Sequence, residues 1–165
     1  MDSRLERKED NFKSEREGSF KTRKKENSRI YVEFDSTSSN EALARVIAAA
    51  FLTKLDPTLD EIEDVKTAVS EAVTNAIIHG YGNEGGIVFM ECTICEDEFK
   101  VMIRDEGVGI ENIEKAKEPL YTTKEDDDRS GMGFSFMEIF MDSLEVESEI
   151  SKGTTIIMKK KIGGR

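Results

Sequence analysis

Long hydrophobic runs are missing from this 165-residue chain. The longest, Val46 to Leu52, falls far short of the ~20 apolar residues that a bilayer-spanning helix needs, which excludes a transmembrane helix. No basic start followed by an apolar segment is present, so no secretory leader is expected, and a cytoplasmic location is. Cysteine is also scarce. Cys92 and Cys95 spell C-x-x-C, but zinc would need two further ligands and the only histidine, His79, lies elsewhere in the chain. The surrounding "IVFMECTIC" alternates like a strand, which puts the two thiols on opposite faces and leaves no redox pair. Clustered basic charge is lacking as well. The net charge is −11, and residues 1–29 hold ten Lys/Arg against seven Asp/Glu, leaving fourteen against twenty-eight in the remaining 136. So acidic a body excludes general nucleic-acid binding, which needs clustered Lys and Arg on phosphates, and suits a basic protein partner.

What remains is enough for one globular domain. Residues 1–29 carry only Leu5, Phe12 and Phe20 as large apolar groups, too few to offset the entropy of ordering, so a disordered tail is expected there and a folded domain over 30–165. "IYVEF" from Ile30 alternates as a strand. Ser38 with Glu41 predicts a capping box opening an Ala-rich helix to about Leu55, and Asp56-Pro57 breaks it. Thr58 with Glu61 predicts a second capped helix. On it Ile62, Val65, Val69, Ala72, Val73 and Ala76 share one apolar arc, with Glu71 and Asn75 nearly opposite. Strands are expected over 87–95 and 99–104, then a polar stretch to Ser130, a helix from "GMGF" to near Met141, and strands over 144–148 and 154–160. The class is α+β, a two-layer sandwich of helices on a mixed, mostly antiparallel sheet.

"SEAVTNAIIHGY" (70–81) sets a carboxylate, a carboxamide and an imidazole where an ordinary helix shows Lys and Glu to water. Three glycine-bearing segments follow: Asp105-Glu-Gly107-Val-Gly109, Ser130-Gly131-Met132-Gly133-Phe134 and Gly153-Thr154-Thr155. Together they match the needs of a nucleotide. A buried Asp105 can accept a hydrogen bond from an exocyclic amine such as adenine's, and the glycines after it admit a base or ribose close to backbone. A glycine pair opening a helix offers N–H groups to phosphates. Between them lies a lid-length loop with Thr122, Thr123, Lys124 and an acidic run. Asn75 suits magnesium, which takes few protein oxygens on a triphosphate. Glu71 suits a general base for an attacking hydroxyl. Arg129 and Lys124 are candidate cations for the terminal phosphate. His79 reads as a helix-end group bonding terminal carbonyls, and Met132, Met137 and Met141 at helical spacing read as core.

Residues 71–75, 105–109, 130–134 and 153–155 resemble the N box and three glycine boxes of the Bergerat (GHKL) ATP-binding fold shared by gyrase, heat-shock chaperones, histidine kinases and anti-sigma serine kinases. Within it, "SEAVTNAIIHGY", "IRDEGVGI", "PLYTTK" and "RSGMGF" resemble the anti-sigma F family over roughly residues 30–160. The resemblance implies ATP or ADP with Mg2+ as ligands, sequestration of a sporulation sigma factor, and phosphorylation of a serine on an anti-anti-sigma antagonist. It implies that Asn75 holds magnesium, Glu71 is the catalytic base and Asp105 reads adenine. It further implies that Thr154 supports Asp105 through water, that Gly131–Phe134 with Thr123 and Lys124 surround phosphates, and that Arg129 approaches the terminal phosphate. Arg45, with Glu41 one turn before it, falls on the partner-contact helix, and a homodimer is implied with the first strand and helix near its interface. Residues 1–29 have no family counterpart, and "KEDDD" is more acidic than expected beside a triphosphate. The rivals are a switch kinase that holds no sigma factor, a nucleotide-sensing module without turnover, and a histidine-kinase catalytic domain. The last would need a phosphoacceptor histidine from another chain, since His79 lies inside the N box.

Overall fold

The computed structural model describes residues 27–119 and 131–163. Within them the period-two alternation becomes five strands: β1 (Ser28–Asp35), β2 (Ile87–Cys95), β3 (Glu98–Arg104), β4 (Ser143–Glu149) and β5 (Gly153–Lys161). Four α-helices accompany them: α1 (Ser38–Leu52), α2 (Leu59–Asn75), a short α3 (Ile113–Lys117) and α4 (Gly133–Phe140). Strand β1 starts at Ser28, so Ser28 and Arg29, assigned to the tail from composition, pair with Ile94 and Thr93.

Register explains the core. Met90 lies opposite Ile103 and Cys92 opposite Val101. Ile103 and Val101 in turn lie opposite Ile156 and Met158. This inward row is buried together with Val65, Ala68, Val69, Ala72 and Val73 of α2. Each fully buried valine contributes on the order of 1.5 kcal/mol or more, against ~1 kcal/mol for a helix cap. Packing therefore decides where α2 lies, and its cap decides where it begins.

The strand order is β1-β2-β3-β5-β4, and every described pairing is antiparallel. The parallel pair of a mixed sheet is thus not found among the described strands. The crossover through α3 and α4 leaves β3 and β4 pointing the same way, but β5 inserts between them and runs counter to both. Cys92 and Cys95 are both free, one buried and one exposed, and burial pushes the Cys92 thiol up to about 12, with the Glu91 charge adding to it.

The two expected capping boxes behave differently. In α2 both halves form: the Thr58 N–H donates to Glu61 Oε2 at 2.7 Å and the Glu61 N–H to Thr58 Oγ1 at 3.2 Å. The other Glu61 oxygen accepts from the Gly163 N–H at 3.0 Å, tying the last described residues to this helix start; these backbone donors, Thr58 first, hold the Glu61 carboxyl below its usual range. In α1 the box does not form. Thr37, one residue earlier than expected, is the N-cap and makes no side-chain cap bond; its N–H donates to the Asp35 carbonyl at 2.7 Å, and Glu41, now one position past the capping-box site, accepts the Ser70 hydroxyl of α2. Helix α1 also ends earlier than expected, at Leu52. A 3-10 turn (Thr53–Leu55) follows, and Asp56 takes a left-handed conformation at φ 54, as the residue before Pro57 is barred from continuing the helix.

Thr58→Ala is expected to lower stability by about 1 kcal/mol in urea unfolding, whereas Ser38→Ala stays within about 0.5 kcal/mol of the parent. Equal losses would mean that both helices are capped alike.

Candidate functional site

Helix α2 does not simply stop. After Asn75 it loosens into a π-helical turn, Ala76–Gly80, a form that recurs at functional sites. The turn carries His79 into an open cleft and buries Gly80 beneath it. Strand β3 delivers Asp105 to the same place, only 5% exposed. Its N–H donates to the Thr154 carbonyl at 2.9 Å, and its Oδ1 accepts from the Gly107 N–H at 2.9 Å. Burial raises the Asp105 carboxyl above its usual range, opposed by the Gly107 and Thr154 hydrogen bonds and by the Arg104 charge.

Two glycines make this meeting possible. A methyl group at Gly80 would stand 2.7 Å from Asp105 Oδ1, and one at Gly107 would stand 2.0 Å from the Gly80 carbonyl oxygen. The Val108 N–H donates to that same carbonyl at 2.9 Å. The turn after Asp105 therefore lies backbone on backbone against the end of the α2 segment, where no side chain fits.

The second glycine segment arrives from the far side. Met132 is the N-cap of α4, and no described side chain caps that helix, so its first N–H groups are available to a ligand. A methyl group at Gly133 would sit 3.0 Å from Glu71 Oε2 and 3.4 Å from Asn75 Oδ1. The carboxylate, the carboxamide and the helix start thus share one corner.

The cleft enclosed by these segments measures about 930 Å³, within the range of small-molecule sites. Asn75, Asp105, Gly109, Gly131, Gly133, Phe134 and Thr154, all anticipated from sequence, line it. Glu71, Gly107 and Met132 are not among the lining residues. Glu41 and Arg45 lie apart from it on α1, joined by an ion pair of 3.8 Å. Thr123, Lys124, Arg129 and Ser130 lie outside the described residues, as does Thr122.

Several lining groups were not anticipated: Val108, Ile110, Ile150 and Ile156 supply apolar wall, and Lys115 of α3 supplies a cation. Two hydroxyls brace the site from behind. Ser148 accepts from the Ile110 N–H at 2.7 Å, donates to the Gly153 carbonyl at 3.0 Å and lies 2.8 Å from Thr154 Oγ1. The Tyr81 hydroxyl donates to the Ile87 carbonyl at 2.5 Å and accepts from the Glu106 N–H at 2.8 Å. Neither shows in the sequence pattern, since each is defined by partners far along the chain. Thr154 reaches Asp105 directly through its backbone carbonyl, with its hydroxyl turned to Ser148.

The family model described as a histidine kinase-like ATPase domain matches residues 34–160. Among curated proteins, the chain is 59% identical over 135 residues to an anti-sigma F factor of Clostridium perfringens strain SM101, covering 81% of this chain and 96% of the relative. It is 61% identical over 134 residues to an anti-sigma F factor of Clostridium acetobutylicum, covering 81% and 93%. Among solved structures, the fold resembles the RsbU and RsbW domains of a Mycobacterium tuberculosis protein, with a TM-score of 0.59 at 16% identity over 82% of this chain and 32% of that one. It also resembles the catalytic domain of the histidine kinase ThkA, with a TM-score of 0.50 at 18% identity over 81% and 96%.

The raised Asp105 carboxyl has a measurable consequence. The folded chain holds this proton more tightly than the unfolded chain does, so the ionised group costs stability once pH rises above the ordinary carboxylate range. Asp105→Asn keeps an acceptor for Gly107 and removes the charge. In calorimetry without nucleotide, its Tm at pH 7 is expected at or above the parent's, with the difference shrinking toward pH 4. A lower Tm at pH 7 would show that the charge stabilises the fold.

Proposed function

Since the chain belongs to the anti-sigma F factor family, built on the histidine kinase-like ATPase domain, we propose that it binds a sporulation sigma factor and, as an ATP-dependent serine kinase, phosphorylates the anti-anti-sigma antagonist. The observation that carries the kinase reading is the position of Gly133. The start of α4 abuts Glu71 and Asn75, and Gly133 and Asn75 line the same cleft as Asp105.

Each group then has a task. Asp105 accepts the exocyclic amine of adenine, and the Gly80–Gly107 contact leaves a flat backbone wall for the base. Apolar Ile110 and Ile156 exclude water from that end. The α4 N-terminus, with Gly131 to Phe134, takes the phosphates on its free N–H groups and dipole. Asn75 would hold magnesium by its carboxamide oxygen, since an ion on a triphosphate takes few protein ligands and is held chiefly by phosphates and water. Bound there, magnesium neutralises phosphate charge. Glu71 takes the proton of the incoming serine hydroxyl as its oxygen bonds the γ-phosphorus and the bond to the ADP oxygen breaks. By resemblance, Thr123, Lys124, Arg129 and Ser130 complete the phosphate end.

The partner surface is assigned to α1. Arg45 and Glu41 form its charged part, and Leu43 and Val46 on the same helix are 53% and 55% exposed, an apolar surface that a partner could cover. The protein is read as a homodimer with β1 and α1 near the interface. No helix among the described residues is long and apolar enough to cross a membrane.

Incubation with radiolabelled ATP, magnesium and a purified anti-anti-sigma protein should label that protein on serine. Glu71→Gln should lower transfer by about a hundredfold or more with nucleotide affinity nearly unchanged; undiminished transfer would remove the base assignment. Asp105→Asn should weaken ATP and ADP alike, by about tenfold in calorimetry, for one lost hydrogen bond to a charged group. An unlabelled antagonist would reduce the protein to a nucleotide-sensing module.

A further inference from the structure

We propose that Ser70 is a positioning residue for the partner surface, holding Arg45 in place through Glu41. This rests on the assignment of Arg45 to that surface. The Ser70 hydroxyl, on α2, donates to Glu41 Oε1 on α1. The same oxygen lies 3.8 Å from Arg45 Nε. Glu41 is the more sheltered of the pair, its side chain 18% exposed against 43% for Arg45.

Glu41 stands in the first turn of α1, one position past the site from which a glutamate reaches back to the N-cap backbone. Its carboxylate points across to the neighbouring helix. An exposed i,i+4 ion pair by itself restrains two long side chains weakly. A hydrogen bond from a second helix changes that: it fixes the carboxylate rotamer from outside, and the guanidinium then has a fixed anion to lie against. An arginine restrained before contact loses less rotamer freedom when a partner's carboxylate arrives. The exposed edge of the guanidinium faces that role, with its donors in a planar fork.

Ser70 immediately precedes Glu71. Consecutive helix positions point about 100° apart, so one turns to α1 and the other to the start of α4. The helix that carries the phosphoryl-transfer groups therefore also fixes the arginine that meets the partner.

The test is calorimetric binding of the full chain to the purified sporulation sigma factor, with ATP and magnesium present. Ser70→Ala is expected to weaken this affinity three- to tenfold while nucleotide affinity stays at the parent value and Tm falls only by what one lost hydrogen bond costs. Ser70→Thr, which keeps the hydroxyl, should restore it. On an Arg45→Ala background, Ser70→Ala should add nothing, which a general packing defect would not reproduce. Parent-like affinity in Ser70→Ala, no rescue by threonine, or a full additional loss without Arg45 would each overturn the inference. If Arg45→Ala weakens binding and Ser70→Ala does not, the surface stands and only the role of Ser70 falls. If Arg45→Ala itself binds like the parent, the surface assignment fails and this inference with it.

Discussion

The carboxylate of Asp105 sits where three backbones converge, and the cleft takes its form from how it is held there. The Thr154 carbonyl fixes its main chain, the Gly107 N–H holds its oxygen, and Gly80 lies against it where any side chain would collide. A buried carboxylate of this kind is costly unless surrounded by donors. Here the loop that it organises returns a donor, the Gly107 N–H, which offsets part of that cost. Remove that arrangement and β3, β5 and the end of the α2 segment lose their common point.

The end of the cleft proposed for the phosphates faces a different problem. A body carrying twenty-eight acidic against fourteen basic side chains is a poor host for a triphosphate if side-chain charge alone must hold it. The backbone at the start of α4 offers donors and a positive dipole end without any added cation, and Lys115 stands on the cleft wall as the lysine among the described lining residues. Local dipoles can thus prevail over an unfavourable net charge, because they act at contact distance while the surface charges are screened.

Much of this was legible in the sequence because it concerns the backbone. Glycines at 107, 109, 131 and 133 mark places where the chain must come close to something, and the strand alternation around Met90, Cys92 and Val101 marks one buried face. The Thr58–Glu61 box was legible too, as it is closed within four residues. The Ser38–Glu41 stretch has the same spacing of hydroxyl and carboxylate and does not form a box, since the helix opens one residue earlier, at Thr37, and Glu41 is left one position too far along. Insertion of β5 between β3 and β4 could not be read, because periodicity fixes strands and not their order. The bracing by Ser148 and Tyr81, and the apolar wall of Ile150 and Ile156, are products of folding with no local signature. Thr123, Lys124, Arg129 and Ser130 fall in 120–130, outside the described residues.

The π-helical turn at Ala76–Gly80 holds one residue more per turn than the α-helix it extends. A lineage losing one codon here would draw the segment back toward an ordinary α-helix. Gly80 would then swing about 100° around the axis and leave Asp105 facing an ordinary helical side chain. That stretch of gene is where the nucleotide pocket is vulnerable to deletion in a way the hydrophobic core is not.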